Sequence, residues 1–488
     1  MKRKRMRTSV VLLTLTALLA GCSSGAGTGT QAPAANAGAN AGANAEAPPA
    51  DNAAANAGGE AGSGNEGGGG AAAEEPIWTE TDMTGTVTFW TFSTFYGDIV
   101  KEFNKVFPNI KVNVSAIDFG AMHDKLQTTL AAGKGAPDVA QVEQGQFVRY
   151  LKGDVLEDLL QQPYDAGKYK DDTTEYNWVR WMNQDNTKLL GMPWDVTPSV
   201  LYYRADIFEE LGLPSDPTEL GEYIQDPENW LAVEETLAAN GKFGTEWRDG
   251  PIHWAGDALG YFDKDYNWLR NNDELVKILD VTKRQNQLKA TPHISGLFDD
   301  KGKALTKSGK LASMVLGSWG ARDIAKTFPD QKGKWRASRL PMGISFGGGG
   351  SAFIIPKQVP DANKKAAWKF VEFMQRSEDA WKLFMKQSVQ PGWKSIAAKD
   401  WYAGVTNDYF GGQADYALYT EVAESLQPKK LTTLDGKAWD IWLKGVLEAL
   451  DKNVDSKTEL NKIESEIKRK LGPDIEKLKN EQAAASGS

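Results

Sequence analysis

From Ser23 to Pro76 the chain contains no Val, Ile, Leu, Met, Phe, Trp or Tyr. Ala, Gly and Asn dominate, with a short repeat Asn36-Ala37-Gly38-Ala39-Asn40-Ala41-Gly42-Ala43-Asn44, and every charge in the stretch is acidic. Such a segment cannot bury enough apolar surface to offset the entropy of ordering it, so residues 22–82 are expected to be a disordered linker. The fold must come from the residues beyond it, from about Met83 to Asp474. Roughly 390 residues exceed what one hydrophobic core usually organises, so two lobes are expected. Residues 476–488 are expected to be a flexible tail.

In front of the linker, Lys2, Arg3, Lys4, Arg5 and Arg7 form a basic start, and Val10 to Ala20 an apolar run too short to span a bilayer permanently. Leu19-Ala20-Gly21-Cys22 closes this segment. That order reads as a secretory signal, not a structural helix. It resembles a bacterial lipoprotein signal. The resemblance implies that residues 1–21 are removed and that Cys22 becomes the lipidated N-terminus, outside the cytoplasmic membrane and tethered to it. The linker is then a leash with an r.m.s. reach of roughly 40 Å.

Cys22 is the only cysteine, so an intrachain disulfide and any CxxC metal or redox site are excluded. Of the 56 Lys and Arg, five lie in residues 1–21; the remaining 51 face 65 Asp and Glu, a net charge of −14. With no basic patch, nucleic acid is not an expected partner. Beyond the signal no apolar run is long enough to cross a membrane.

The folded part opens with alternation at Gly85–Trp90, a strand. Ile99, Val100, Phe103, Val106 and Phe107 recur at helical spacing until Pro108 stops the helix. Ile110, Val112 and Val114 alternate again, giving β-α-β and a parallel pair. A second helix carries Met122, Leu126 and Leu130 on one face, with His123 at a solvent-facing position. Further strands are expected at Val139–Val142, Lys188–Met192 and Val200–Tyr203. Alternating strands and helices predict an α/β fold with parallel sheets. In such sheets ligands bind beyond the carboxyl ends of the strands. Three strand ends carry aromatics and hydrogen-bonding groups: Trp90 to Ser93, Glu143 with Gln144, and Pro193 to Asp195.

Six segments in order resemble the extracellular solute-binding proteins of the sugar-binding type, receptor subunits of ABC importers. They are Thr86-Val87-Thr88-Phe89-Trp90, Phe107-Pro108-Asn109-Ile110-Lys111-Val112, Gly135-Ala136-Pro137-Asp138-Val139, Leu201 to Phe208, Met314-Val315-Leu316-Gly317-Ser318-Trp319, and Gly347 to Pro356. The resemblance implies a two-lobed α/β fold of the periplasmic-binding-protein type II kind, hinged between the lobes. Carried over, one lobe is 84–197 plus 346–395 and the other 198–345 plus 396–475. It implies a sugar or oligosaccharide held between the lobes and delivered to permease subunits, without a cofactor, by a monomeric protein.

The chain has 17 Trp. A sugar ring offers an apolar C–H face that an indole can cover, and a rim of hydroxyls for carboxylates, amides and hydroxyls. Trp90, Trp194, Trp254 and Trp319 are the candidates for stacking, with Trp393 and Trp439 behind them. Ser93, Glu143, Gln144 and Asp195 are the candidates for hydrogen bonding. Gly348 and Gly349 would let backbone approach the ligand. Trp368 and Trp381 fall on amphipathic helices and read as packing, and Asp138 as a turn stabiliser.

Enzyme signals fail on context. Gly343-Ile344-Ser345-Phe346-Gly347 fits G-x-S-x-G, but glycines and a strand come next where a helix is needed, and no His lies beyond His293. Gly347, Gly349 and Ala352 fit a dinucleotide pattern without the helix that pattern requires. Asp263 to Glu274 matches a calcium loop except at its sixth position, where Trp268 replaces the required Gly; a hairpin turn and a helix cap are the plainer reading. A glycoside hydrolase with two spaced carboxylates is the competing class. A glycan-sensing lipoprotein would share the same pocket.

Overall fold

The computed structural model describes residues 78–486 except Lys152 and His293. The signal, Cys22 and the linker through residue 77 lie outside the described residues. β1 (Gly85–Thr91) buries Val87 and Phe89 completely. The helix Tyr96–Val106 lays Tyr96, Ile99 and Phe103 on the same core. β2 (Ile110–Ala116) returns parallel to β1, and after the helix Phe119–Ala131, β3 (Val139–Glu143) pairs parallel on the other edge of β1. β4 (Met192–Pro193), β5 (Ser199–Arg204), β6 (Ser313–Gly317), β7 (Trp335–Ser338) and β8 (Ser351–Ile354) complete the strands.

They form two sheets, β2-β1-β3-β8-β4 and β6-β5-β7. The expectation of parallel sheets holds only for β1 with β2 and β3. β8 is antiparallel to β3 and β4, and the second sheet is antiparallel throughout. The reason is direction of entry. β1 and β3 run towards the second lobe, whereas β8 begins where the chain comes back from it, with Ser351 opposite Glu143. The strand expected at Lys188–Met192 shrinks to Met192–Pro193. Thr187 and Lys188 instead give their N–H groups to Asn183 Oδ1, both at 2.9 Å, closing a turn.

Each sheet organises its own core. In the first lobe Phe89, Tyr96, Phe353, Phe370 and Phe384 pack with Trp368 and Trp381. In the second, all six residues of β5 are buried, because both sheet faces are covered. Leu201 and Tyr203 face one cluster; Val200 and Tyr202 face another.

Both ends of the folded part extend beyond their expected limits. Trp78 packs on Phe107 and Phe373, with ring centroids 6.1 and 5.4 Å apart, inside the stretch read as linker. The last helix, Ser456–Ser486, runs through the expected tail. Leu460, Ile463, Ile467 and Leu471 bury one stripe of it, and Ile475 and Leu478 continue that stripe. His123 is fully buried, not solvent-facing; it packs against Phe92 and Phe119.

Candidate functional site

Three stretches of chain pass side by side between the lobes: 194–199, 346–351 and 389–392. Trp194 N donates to Ser351 O (3.1 Å), Ser199 N to Phe346 O (2.9 Å) and Gly348 N to Thr197 O (2.7 Å). Val196 N donates to Gln390 O (3.1 Å) and Gly392 N to Trp194 O (3.2 Å). This ribbon joins the two lobes and stands where the expected hinge would lie. The end of β3 abuts it, because Gln144 N donates to Gly350 O at 2.9 Å.

Gly349 marks where the site residues converge. A Cβ placed on it would stand 3.6 Å from Thr197 Oγ1, 3.8 Å from Trp319 Nε1 and 4.0 Å from Glu143 Oε1. Its φ of 119° is one that only glycine adopts readily. Trp319 comes after β6 and leads into the helix Gly320–Thr327. Its indole N–H donates to Gly348 O at 2.9 Å, which fixes the ring while part of it stays open. Three buried hydroxyls on this ribbon and the adjoining strand end, Thr197 Oγ1, Ser199 Oγ and Ser318 Oγ, have no partner among the described residues. A buried hydroxyl without a partner is costly, and a polar ligand or water would relieve it.

The electrostatics are unusual for a site rich in acids. Glu143 caps the short helix Gln144–Phe147 by accepting from Gly145 N at 2.8 Å. Burial pushes its carboxyl up to about 7, although the Gly145 N–H and the Arg180 charge oppose that rise. Asp195 accepts from Ser351 N at 2.5 Å, and burial pushes it up to about 6 against the same Arg180. Arg180 is buried beside both and donates to Gln144 Oε1 at 3.0 Å.

Of the predicted site residues, Glu143, Gln144, Asp195, Trp319, Gly348 and Gly349 come together at this ribbon. Ser93 lies half-buried at the end of β1, its N–H on Thr91 Oγ1 at 2.9 Å. Four of the other stacking candidates, Trp194, Trp90, Trp254 and Trp393, are buried. Trp194 is in the first lobe's interior among Tyr96, Phe353, Trp381 and Phe384. Trp90 is buried, with Lys125 Nζ 4.0 Å over its ring. Trp254 packs on Trp230 in the second lobe's core. Trp393 is buried and donates to Gln375 Oε1 at 2.7 Å. Trp439 keeps some exposure and rests on the His253 ring, 4.9 Å between centroids. Asp138 does not serve its own turn; it takes both the N–H and hydroxyl of Thr88 on β1.

Arg180 and Thr197 were not singled out from sequence. Thr197 lies two residues past Asp195, and reading on along the same crossing would have found it. Arg180 carries no such signal, since its role depends on partners distant in sequence. The Asp263 loop is a turn: its carboxylate takes the N–H groups of Asp265 (2.9 Å) and Asn267 (2.8 Å), while Asn272 caps the next helix. A cavity of about 780 Å³ opens elsewhere on the lobe boundary, lined by Asn183, Asp185, Tyr266 and Lys437 among others; no predicted site residue borders it.

A family model described as bacterial extracellular solute-binding protein matches residues 98–408. The chain belongs to this family. Solute-binding proteins of known structure share its two-domain fold. A family 1 extracellular solute-binding protein superposes with a TM-score of 0.67 at 21% identity, over 79% of this chain and 99% of the other. The galacto-N-biose/lacto-N-biose I-binding protein of Bifidobacterium longum gives 0.63 at 21% identity, over 80% and 97%. Among curated solute-binding proteins, the arabinooligosaccharide-binding protein of Bacillus subtilis (strain 168) is 29% identical over 411 residues, 79% of this chain and 92% of the relative. The lactose-binding protein of Rhizobium radiobacter is 26% identical over 366 residues, 70% and 82%.

Proposed function

We propose that this solute-binding protein captures a neutral oligosaccharide at the hinge, closes its lobes on it and hands it to an ABC permease without breaking a bond. The reading rests on one observation: the Nε1 edge of the partly open Trp319 ring, the Glu143 carboxyl and the unpartnered Thr197 hydroxyl meet around Gly349. An indole face covers the C–H side of a sugar ring, and the carboxylate and hydroxyl take its rim. The names of the B. subtilis and R. radiobacter relatives support a saccharide ligand, with arabinooligosaccharides the first to try. The acidic candidates Glu143 and Asp195 favour uncharged sugars over uronic acids. The protein works as a monomer on the outer face of the cytoplasmic membrane, held by a lipid on Cys22.

A thermal-shift screen against a glycan panel tests this, because a ligand that binds only the native state raises the melting temperature. A neutral oligosaccharide is expected to raise it and to be recovered intact. No shift with any saccharide, or recovery of shortened product, contradicts the reading. Cys22→Ser should release the protein from membranes; unchanged membrane retention contradicts the anchor.

A further inference from the structure

Arg180 is almost completely buried, yet no carboxylate lies within ion-pair distance of it among the described residues. Its guanidinium is surrounded by neutral acceptors. Nη1 donates to Gln144 Oε1 (3.0 Å), Gly349 O (3.0 Å) and Tyr176 Oη (3.3 Å). Nη2 donates to Asn177 Oδ1 (2.6 Å) and Asp195 O (2.7 Å). Three of these acceptors belong to the candidate ligand site and come from three separate stretches: the end of β3, the outgoing crossing and the returning glycine strand. The planar fork of an arginine can hold all three at once; a lysine ammonium, a point charge on a flexible stem, cannot reproduce that geometry. A Cβ on Gly350 would come within 2.7 Å of Nη2, so the glycine strand fits closely around this one side chain.

We propose that Arg180 is the positioning residue of the ligand site: it never meets the ligand, but it fixes Gln144, Asp195 and the glycine strand in register and supplies the positive charge that Glu143 faces. The inference rests on the reading that Glu143 meets the ligand. The charged and titratable groups around Glu143 are Arg180 from the end of the helix Glu175–Val179, Asp195 from the crossing and His123 from the helix Phe119–Ala131. His123 Nε2 accepts the Glu143 N–H at 3.4 Å, and burial holds that imidazole down near 4, so it is neutral at physiological pH. Asp195 raises the Glu143 carboxyl; Arg180 lowers it. Removing Arg180 therefore moves the Glu143 titration upward. The carboxylate, the stronger acceptor of a sugar hydroxyl, then becomes scarce at neutral pH.

The test is a carboxyl-carbon NMR titration of the ligand-free full chain, with Glu143→Gln used to assign the resonance. Arg180→Gln is expected to raise the Glu143 midpoint by about one unit or more. Arg180→Lys keeps the charge, so the midpoint should stay near that of the wild type. It loses the fork, so oligosaccharide affinity at pH 8 should fall by about five-fold or more. An unmoved midpoint in Arg180→Gln overturns the electrostatic role, and wild-type affinity in Arg180→Lys overturns the bracing role. If Arg180→Gln does not fold, the lysine variant alone decides. If the wild type binds no oligosaccharide, the functional reading fails, while the ligand-free titration still judges Arg180.

Discussion

Trp319 differs from Trp90, Trp194 and Trp254 in that part of its ring stays open while its N–H is already held by Gly348 O. A ring fixed in advance loses little entropy when a sugar covers it. Trp319→Ala should lower oligosaccharide affinity ten-fold or more, on the order of 1–3 kcal/mol of burial and stacking; unchanged affinity in a binding assay removes Trp319 from the site. The sequence also pointed to Trp194, on its strand-end placement alone. What it could not convey is that Trp194 turns into the aromatic core beside Phe384, 5.0 Å between centroids. Strand-end position tells which layer a residue occupies, not which way it turns. Glu234 and Glu246 are a second residue-scale matter. Both are fully buried in the second lobe, and neither oxygen of Glu234 has a partner among the described residues. Burial raises both carboxyls above the ordinary 4.5, Glu246 to about 8. The folded state thus keeps protons that the unfolded chain has lost, and stability should fall as pH rises from about 4.5 towards 8. Each group contributes a slope of about 1.4 kcal/mol per pH unit. Glu234→Gln should flatten that slope and be more stable than wild type at pH 8, read from urea unfolding at several pH values; parallel curves for the two proteins contradict the assignment.

At the scale of elements, the returning glycine strand is the part of the fold most shaped by its neighbours. Gly350 has a φ of 113° and no room for a methyl beside Arg180. Gly350→Ala should cost about 1–3 kcal/mol from overpacking and strain, visible as a lower urea midpoint, and should weaken ligand binding with it. An unchanged midpoint would mean that Arg180 is free to move aside. The early elements were legible because their cues are local: alternation in β1 and β2, the helical stripe of Ile99 and Phe103, and the Pro108 stop. The direction of β8 and the antiparallel second sheet were not, since they depend on where the chain re-enters a lobe after more than a hundred residues. The helix over 476–486 escaped for a related reason. Its support comes from Leu478 packing on the second lobe and from the Lys437–Asp474 ion pair near its start, neither of which a polar tail announces.

At the scale of the molecule, the lobes touch away from the glycine strand as well. Lys430, in the strap between two helices of the second lobe, is buried and donates to the carbonyls of Val179 (3.2 Å) and Asn183 (2.8 Å) in the first. Leu426 and Ala423 pack beside it on Tyr176 and Val196. Lys430→Met leaves those carbonyls without their donor and should destabilise the protein by about 1–3 kcal/mol, measured by chemical unfolding; a variant as stable as the wild type would show the contact to be incidental. The two-lobed plan and the place of the expected hinge were readable from the order of six motifs, and the acids at the strand ends from their positions. The candidate site depends on side chains from both lobes meeting at Gly349, which no single stretch of sequence records. The measurement that bears most directly on that meeting is titration calorimetry of the full chain with neutral oligosaccharides. Saturating heat at one ligand per protein, lost with Trp319→Ala and strengthening as pH rises through about 7 with the ionisation of Glu143, is the predicted result. Heat that continues without saturation, as turnover would give, or no heat with any saccharide, contradicts it.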